Sequence, residues 1–186
     1  MSVVLISPKP IVAAIMTLVL FTSPVKGEDT AVADLLERLQ QADPVEATKL
    51  SRELQLEWSK SGSASMNLLL KRGKEALERG EFDVAADHLT ALTDHAPQFA
   101  EGWALRAQLW HHMDRPGLAL SDLQQVLVLN PNHYESLFGL AVTLEQLEEH
   151  ELALEAYRLV LTIHPHYEEA TEAVERLAPL VQGQSL

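Results

Sequence analysis

The sequence predicts an all-α fold built from three copies of one helical unit. Three prolines, Pro97, Pro131 and Pro165, follow one another at intervals of 34 residues, and equally spaced helix breakers indicate an internal repeat. Hydrophobic residues make up 47% of the chain and aromatic residues only 5%, a balance typical of long helices rich in Ala, Leu, Glu and Gln. With the prolines in register, the repeated region divides into units 66–99, 100–133 and 134–167.

The first 27 residues differ in kind from the rest. Lys9 precedes a run at 11–21 that is apolar except for Thr17, and small residues follow, with Val25 and Gly27 at the spacing of a cleavage site. This order is typical of a secretory signal peptide over 1–27. The run is shorter than the roughly 20 apolar residues that span a bilayer. Cleavage after Gly27 is therefore the expectation, and an uncleaved anchor or a buried helix remain as alternatives.

The segment 28–65 is out of phase with the repeats and predicts a helical hairpin. "TAVADLLERLQQ" has helical character, and Asp43 with Glu46 three residues later forms a capping arrangement for a second helix. Leu50, Leu54 and Trp58 follow on one face of that helix. Two interpretations are open: the hairpin covers the exposed face of the first unit, or it is an arm that binds a partner or docks on the protein itself.

Each unit predicts two helices, at positions 1–14 and 18–31. The proline at position 32 ends one pair and begins the next, because its ring disfavours helical geometry in the residue before it. Small residues recur where helices must approach closely. These are Gly73, Ala107 and Ala141 at position 8, and Ala85, Ala119 and Ala153 at position 20.

The pattern over 66–167 resembles the tetratricopeptide repeat (TPR) family. The middle unit offers Trp103, Ala107, Trp110, Ala119, Leu123 and Pro131 at the positions of the family pattern. Two units depart from it, with Arg72 and Arg106 at a position where Leu is usual, and the third unit has no glycine in its turn, "LEEHE". The resemblance implies an α-solenoid of helix-turn-helix repeats. The segment 168–186 then predicts the solvating helix that caps such an array, with Pro179 as its end.

The resemblance also implies where a partner binds. In this family the first helix of each pair lines a concave groove, together with residues near the end of the unit. Carried over by position, the predicted partner-binding residues are Leu70, Lys74, Phe99, Gln108, His111, His112, His133, Phe138, Val142 and Tyr167. The aromatic and aliphatic members favour an apolar helix or extended peptide of a partner protein. The basic clamp that some family members use for a chaperone carboxylate is missing, because Leu70, Gln108 and several acids occupy its positions.

Composition argues against several other functions. The net charge of −13 disfavours nucleic acid, whose phosphates require clustered Lys and Arg. The chain has no cysteine, which excludes disulfides, thiolate chemistry and a lipoprotein anchor. No motif for catalysis or phosphate binding occurs, so neither enzymatic activity nor a cofactor is expected. The eight histidines lack the convergent spacing of a zinc site, and His95 and His164 fit helix ends instead.

The sequence therefore predicts a non-catalytic adaptor or scaffold of the bacterial cell envelope. The expected location is the periplasm. The alternative is a protein that faces the periplasm and is anchored in the inner membrane through its uncleaved signal segment alone. The second interpretation is an assembly factor for envelope complexes, in cytochrome maturation or at the outer membrane. A small-ligand or metal-binding periplasmic protein is the third. The oligomeric state stays open.

Overall fold

A computed structural model describes residues 29–184, and this part of the chain is helical with no strand. The predicted signal segment lies outside the described residues. In chain order the helices are α1 (Asp29–Gln41), α2 (Pro44–Trp58), α3 (Ala64–Glu78), α4 (Phe82–His95), α5 (Ala100–His112), α6 (Pro116–Leu129), α7 (Tyr134–Gln146), α8 (His150–Ile163) and α9 (Glu168–Gln184). The predicted fold class is confirmed: three antiparallel helix pairs stack in chain order, and an N-terminal hairpin and a C-terminal helix pack against this array.

The small residues at positions 8 and 20 lie where paired helices touch. A Cβ atom built on Gly73 would come within 2.5 Å of Leu89 Cδ2, so α3 and α4 can approach this closely only with glycine there. Ala85 and Ala153 are fully buried, and Ala119 is 1% exposed. The 34-residue period is therefore a packing period.

The turns inside the three units share one geometry. Gly80, Asp114 and Glu148 occupy position 15 and have φ values of 73°, 54° and 61°. The next residue donates its N–H to the carbonyl five positions back in every unit, as Glu149 does to Leu144 at 3.0 Å. This is the Schellman motif that ends many helices. The third turn thus keeps the shape of the first although it has no glycine.

Helix α9 packs its apolar face against unit three and runs further than the sequence predicted. Ala170, Ala173 and Leu177 are buried on that face. Pro179 lies inside the helix, which continues to Gln184, so the prediction that Pro179 ends it was wrong. A proline removes one backbone hydrogen bond, and the exposed position of Pro179 near the chain end lets the neighbouring turns hold the helix.

The hairpin α1–α2, called the arm below, does not cover unit one. Asp43 caps α2 as predicted, since its carboxylate accepts from Val45 N and Glu46 N at 2.9 Å each. The buried arm residues Leu39, Leu50 and Leu54 belong to the core of units two and three, and α1 packs against α8. The first interpretation of segment 28–65 was therefore wrong, and the arm docks on the protein itself, two units along the array.

Two hydrophobic cores result. The main core joins the arm, units two and three and α9, with Leu140 and Tyr157 among its members. The smaller core joins unit one to α5 through Leu89, Leu92 and Leu109. Within residues 29–184 no helix has both the length and the apolar character needed to span a membrane.

Candidate functional site

A groove of about 450 Å³ opens between α5 and α7, with α6 at its back. Position 5 of the repeat carries Leu70 in unit one and Phe138 in unit three but only Ala104 in unit two, which leaves room between the helices. Gly139 widens the opposite wall, and Ala107 and Ala119 form the deep end. The cavity exists because small residues meet at this junction.

Aromatic rings form the floor of the groove on the α7 side. The ring centroids of Phe138 and Tyr167 are 5.0 Å apart, and those of Phe138 and Tyr157 are 5.5 Å apart. The Tyr157 hydroxyl donates to Glu145 at 3.1 Å. Burial is the main cause that raises the pKa of Tyr157 and of Tyr167 above the ordinary value. Both hydroxyls therefore stay protonated near pH 7; the Tyr167 ring lines the groove, and the buried Tyr157 ring supports Phe138 from behind.

His133 lines the groove, but its ring is fully engaged by the protein. Its Nδ1 accepts from Ser136 N at 3.2 Å, so Nε2 carries the proton and donates to Glu101 at 3.3 Å. The side chain caps α7, is 2% exposed and stacks on Trp58 of the arm at 4.6 Å. The structure gives His133 the role of a helix cap, which leaves its ring no free hydrogen-bonding atom for a partner.

The structure brings six of the ten predicted groove residues together and leaves four elsewhere. The six that line the groove are Gln108, His111, His133, Phe138, Val142 and Tyr167. Leu70 and Phe99 pack against the smaller core, so Phe99 does not share a floor with Phe138. Lys74 is exposed on α3, and His112 stacks on Phe82 at 6.0 Å. Partner binding by these ten residues stays a prediction.

Sequence reasoning missed the depth of the groove. Ala107, Ala119 and Leu123 were assigned to helix packing alone, yet they also line the cavity. The usable signal was the run of small side chains at positions 5 and 8 of unit two, opposite Gly139. Neither position stands out in a single unit, because the space arises between two units.

Arg106, one of the two departures from the repeat pattern, forms a buried polar network. Its guanidinium donates to both carboxylate oxygens of Asp122 at 2.7 and 2.9 Å and to Thr93 at 2.7 Å. Trp110 Nε1 also donates to Asp122 at 2.9 Å, and the Trp103 ring lies 4.7 Å from the guanidinium carbon. A bidentate Arg–carboxylate pair is strong and directional. Arg106 therefore joins units one and two.

A second cavity of about 750 Å³, called the arm cleft below, lies between α2 and the first turns of α7 and α9. Ser51 Oγ and His164 Nε2 are 2.9 Å apart across it, and His166 Nε2 lies 2.9 Å from the carbonyl of Ala42. Gln55 donates to Glu135. Polar contacts at helix ends therefore help to fix the arm.

Two buried polar atoms beside the arm cleft have no hydrogen-bond partner, the Tyr134 hydroxyl and His164 Nδ1. The hydroxyl lies near Ser51, whose Oγ contacts the carbonyl of Ala47 and His164 Nε2 instead. Burial raises the pKa of Tyr134 to about 12 and lowers the pKa of His164. His164 is therefore a neutral residue at a helix end. Within residues 29–184 no group of three or more His, Asp or Glu side chains is arranged to hold a metal ion.

Comparison with known proteins gives consistent matches. Residues 70–120 and 113–168 match the tetratricopeptide repeat family. A TPR repeat-containing protein of Rhizobium etli is 34% identical over 144 residues, which are 77% of this chain and 71% of the relative.

Solved structures share the fold at lower identity. The first TPR domain of Spaghetti, bound to an HSP90 peptide, has a TM-score of 0.62 at 22% identity, over 64% of this chain and 95% of that one. The Yersinia enterocolitica chaperone SycD, in complex with a peptide of YopD, has a TM-score of 0.60 at 16% identity, over 67% and 97%. The MamA protein has a TM-score of 0.57 at 20% identity, over 81% and 80%.

Proposed function

Because the chain belongs to the tetratricopeptide repeat family, we propose that it is a non-catalytic adaptor that holds a segment of a partner protein in the groove. One observation carries this proposal: an open apolar cavity between α5 and α7 with a polar rim. Apolar surface in a concave setting is the usual feature of a peptide or helix site. Peptides are bound by two structural neighbours, the Spaghetti domain and SycD.

The chemistry of the walls defines the segment that fits. Ala104, Phe138 and Val142 offer apolar contacts, so the segment should insert one or two aliphatic or aromatic side chains. Glu101 and Glu135 stand at the rim, where they favour a basic neighbour in the segment over an acidic one.

The setting that best fits the sequence is the bacterial periplasm. This part of the proposal rests on the signal peptide pattern at 1–27. The mass of the intact protein purified from its own cells should correspond to a chain that begins at Glu28. A full-length chain extracted with the membrane would overturn the periplasmic placement and favour the anchored alternative.

Filling the groove tests the binding proposal. Ala104→Trp places a large ring in the cavity without burying a charge, and Ala33→Trp makes the same change on the exposed surface of α1. Both variants should melt close to the wild type. Only Ala104→Trp should abolish capture of envelope proteins by the purified chain.

Photo-crosslinking locates the contact directly. A photoreactive residue at Gln108, on the groove wall, should crosslink a partner that the same residue at exposed Arg158 on α8 does not. Equal crosslinking from both positions, or unchanged capture by Ala104→Trp, would show that binding lies outside the groove.

A further inference from the structure

The groove and the arm cleft share a wall. Glu135 and Tyr167 line both cavities, so the two openings meet at the first turn of α7 and the loop before α9. Gln55 of the arm donates to Glu135 at this junction. An extended segment that leaves the groove past Tyr167 therefore enters the space beneath the arm.

The arm cleft is acidic. Four carboxylates line it, those of Glu135, Glu168, Glu169 and Glu172, against one permanently charged base, Arg52. Within the described part of the chain no ion pair neutralises Glu168, Glu169 or Glu172. The helix dipole favours acids in the first turn of a helix, which accounts for Glu135 on α7 and for Glu168 and Glu169 on α9, but not for Glu172 at the same opening.

The buried polar atoms beside the cleft add an independent observation. Ser51 Oγ lies 2.9 Å from both the carbonyl oxygen of Ala47 and His164 Nε2, which leaves one ring nitrogen unpaired, His164 Nδ1. That atom and the Tyr134 hydroxyl have no partner, and both side chains line the cleft at 7% and 1% exposure. Together with the carboxylates they form a set dominated by acceptors. Lys and Arg side chains carry only donors.

We infer that the arm cleft binds a stretch of Lys or Arg residues that follows the apolar part of the same partner segment. The inference rests on the proposed function, and it adds the chemistry and the direction of the segment. The apolar part lies between α5 and α7, and the basic part passes Tyr167 into the cleft beneath α2. The arm is then a wall of the binding site, supplied by a region outside the repeats.

A basic probe tests the cleft by itself. Tetralysine peptide added to the purified protein in an NMR titration should shift the amide signals of Thr48, Arg52, Thr171 and Glu172, which line the cleft. The triple variant E168Q/E169Q/E172Q should weaken this binding at least fivefold. The matched variant E148Q/E151Q/E155Q changes the net charge equally on the exposed surface of α8 and the turn before it, and its affinity should stay within twofold of the wild type.

Equal losses in the two triple variants would mean that tetralysine responds only to net charge, and would overturn the inference. Circular dichroism on both variants checks that α9 remains folded. Shifts spread over the whole surface would overturn the inference in the same way.

A second measurement separates this inference from the proposed function. Peptides of 16 residues selected from a random display library on the wild type, with counter-selection on Ala104→Trp, should carry an apolar half and a Lys- or Arg-rich half. Selected peptides without basic enrichment, bound equally by E168Q/E169Q/E172Q, would leave the groove proposal standing and refute the basic stretch. Failure to select any peptide would refute the groove, and the tetralysine titration would then decide the cleft alone.

Discussion

Units one and three have the same repeat pattern but very different burial. Helix α3 of unit one buries only Gly73 and Ala76, whereas the corresponding helix α7 buries residues along its whole length, from Tyr134 to Leu144. Leu69 and Leu137 hold the same position in their units, yet Leu69 is half-buried and Leu137 is 2% exposed. Burial in a stacked array depends on the neighbours of a unit as well as on its own sequence.

The neighbours differ because the arm packs against units two and three and leaves unit one uncovered. Unit three packs against unit two and α9, and the arm adds Leu50 and Leu54 to the same core. Unit one packs against unit two on one side, and its other side keeps large apolar side chains in solvent, with Leu68 46% and Val84 44% exposed. Unit one should therefore be the less stable end of the array, able to open locally before the rest.

Truncating the matched leucines should give the largest contrast. Leu137→Ala should lower the free energy of unfolding by about 3 kcal/mol, because it opens a cavity in the main core. Leu69→Ala should lower it by about 1 kcal/mol, since its side chain is only partly removed from water. Urea unfolding followed by circular dichroism measures both variants.

Equal losses of unfolding free energy in Leu69→Ala and Leu137→Ala would contradict the difference in burial between the two units. They would show that unit one is covered in solution as well as unit three is. Hydrogen exchange on the wild type gives an independent check, and amides of α3 should exchange faster than those of α7.

The arm accounts for part of the difference, and Trp58 tests its share. The Trp58 ring stacks on His133 at 4.6 Å and contacts Tyr134 at 5.6 Å. Trp58→Ala should lower the free energy of unfolding of units two and three by roughly 2 kcal/mol, from the aromatic contacts and the lost apolar area. Leu56→Ala, on a side chain that is 64% exposed, is the control and should change it by less than about 0.5 kcal/mol.

The sequence predicted the repeat and its phase but not where the arm docks. Proline spacing and the small residues at positions 8 and 20 are local signals, and the structure confirms the helix pairs that they predict. Leu50, Leu54 and Trp58 marked an apolar face on α2 correctly. That face alone does not predict which unit it packs against, because the contacts join residues far apart in the sequence, such as Ser51 and His164, which are 113 positions apart.

The groove was predicted by position and only partly by chemistry. Phe138, Val142 and Tyr167 lie where the repeat pattern puts them. The pattern gave no means to see that His133 is held by Ser136, Glu101 and the arm, since the arm lies outside the repeat. The repeat pattern could not predict the acidic arm cleft for the same reason. One wall of the cleft is α2 of the arm, and the other comes from the first turns of α7 and α9.

Acid should weaken the docked arm through His164. Burial is the main cause that lowers the pKa of His164 in the folded protein; nearby His166 lowers it further, and the backbone of His164 itself and Glu169 act in the opposite direction. The other groups against the ring are Ser51, Tyr134 and Tyr167. The unfolded chain, with a histidine pKa of about 6.5, therefore takes up the proton first. The stabilisation is complete above that pH and is lost as the pH falls from there towards the folded pKa.

His164→Gln should remove this dependence. Between pH 7.5 and pH 5.5 the free energy of unfolding of the wild type should fall more steeply than that of the variant, measured by urea unfolding at each pH. The same slope for both proteins would show that His164 does not titrate differently on folding, and would remove acid as a means of loosening the arm.

The turns of the two units should give the smallest and most local contrast. Gly80 and Glu148 both have positive φ values near position 15, at 73° and 61°, but only glycine adopts this region without steric conflict. A left-handed conformation costs an L-residue about 1–2 kcal/mol. A change to glycine removes this cost, but part of the stabilisation is lost because glycine makes the unfolded chain more flexible. Glu148→Gly should therefore raise the free energy of unfolding by about 0.5 kcal/mol, and Gly80→Glu should lower it by about 1 kcal/mol. Asp114→Gly should gain less than Glu148→Gly, because Asp tolerates this conformation better than Glu does. The urea midpoints of the three variants measure the order of their stabilities, provided that the free energy of unfolding has the same slope against urea concentration in each. A loss of stability in Glu148→Gly would mean that the Glu148 side chain contributes more to the turn than its backbone strain removes.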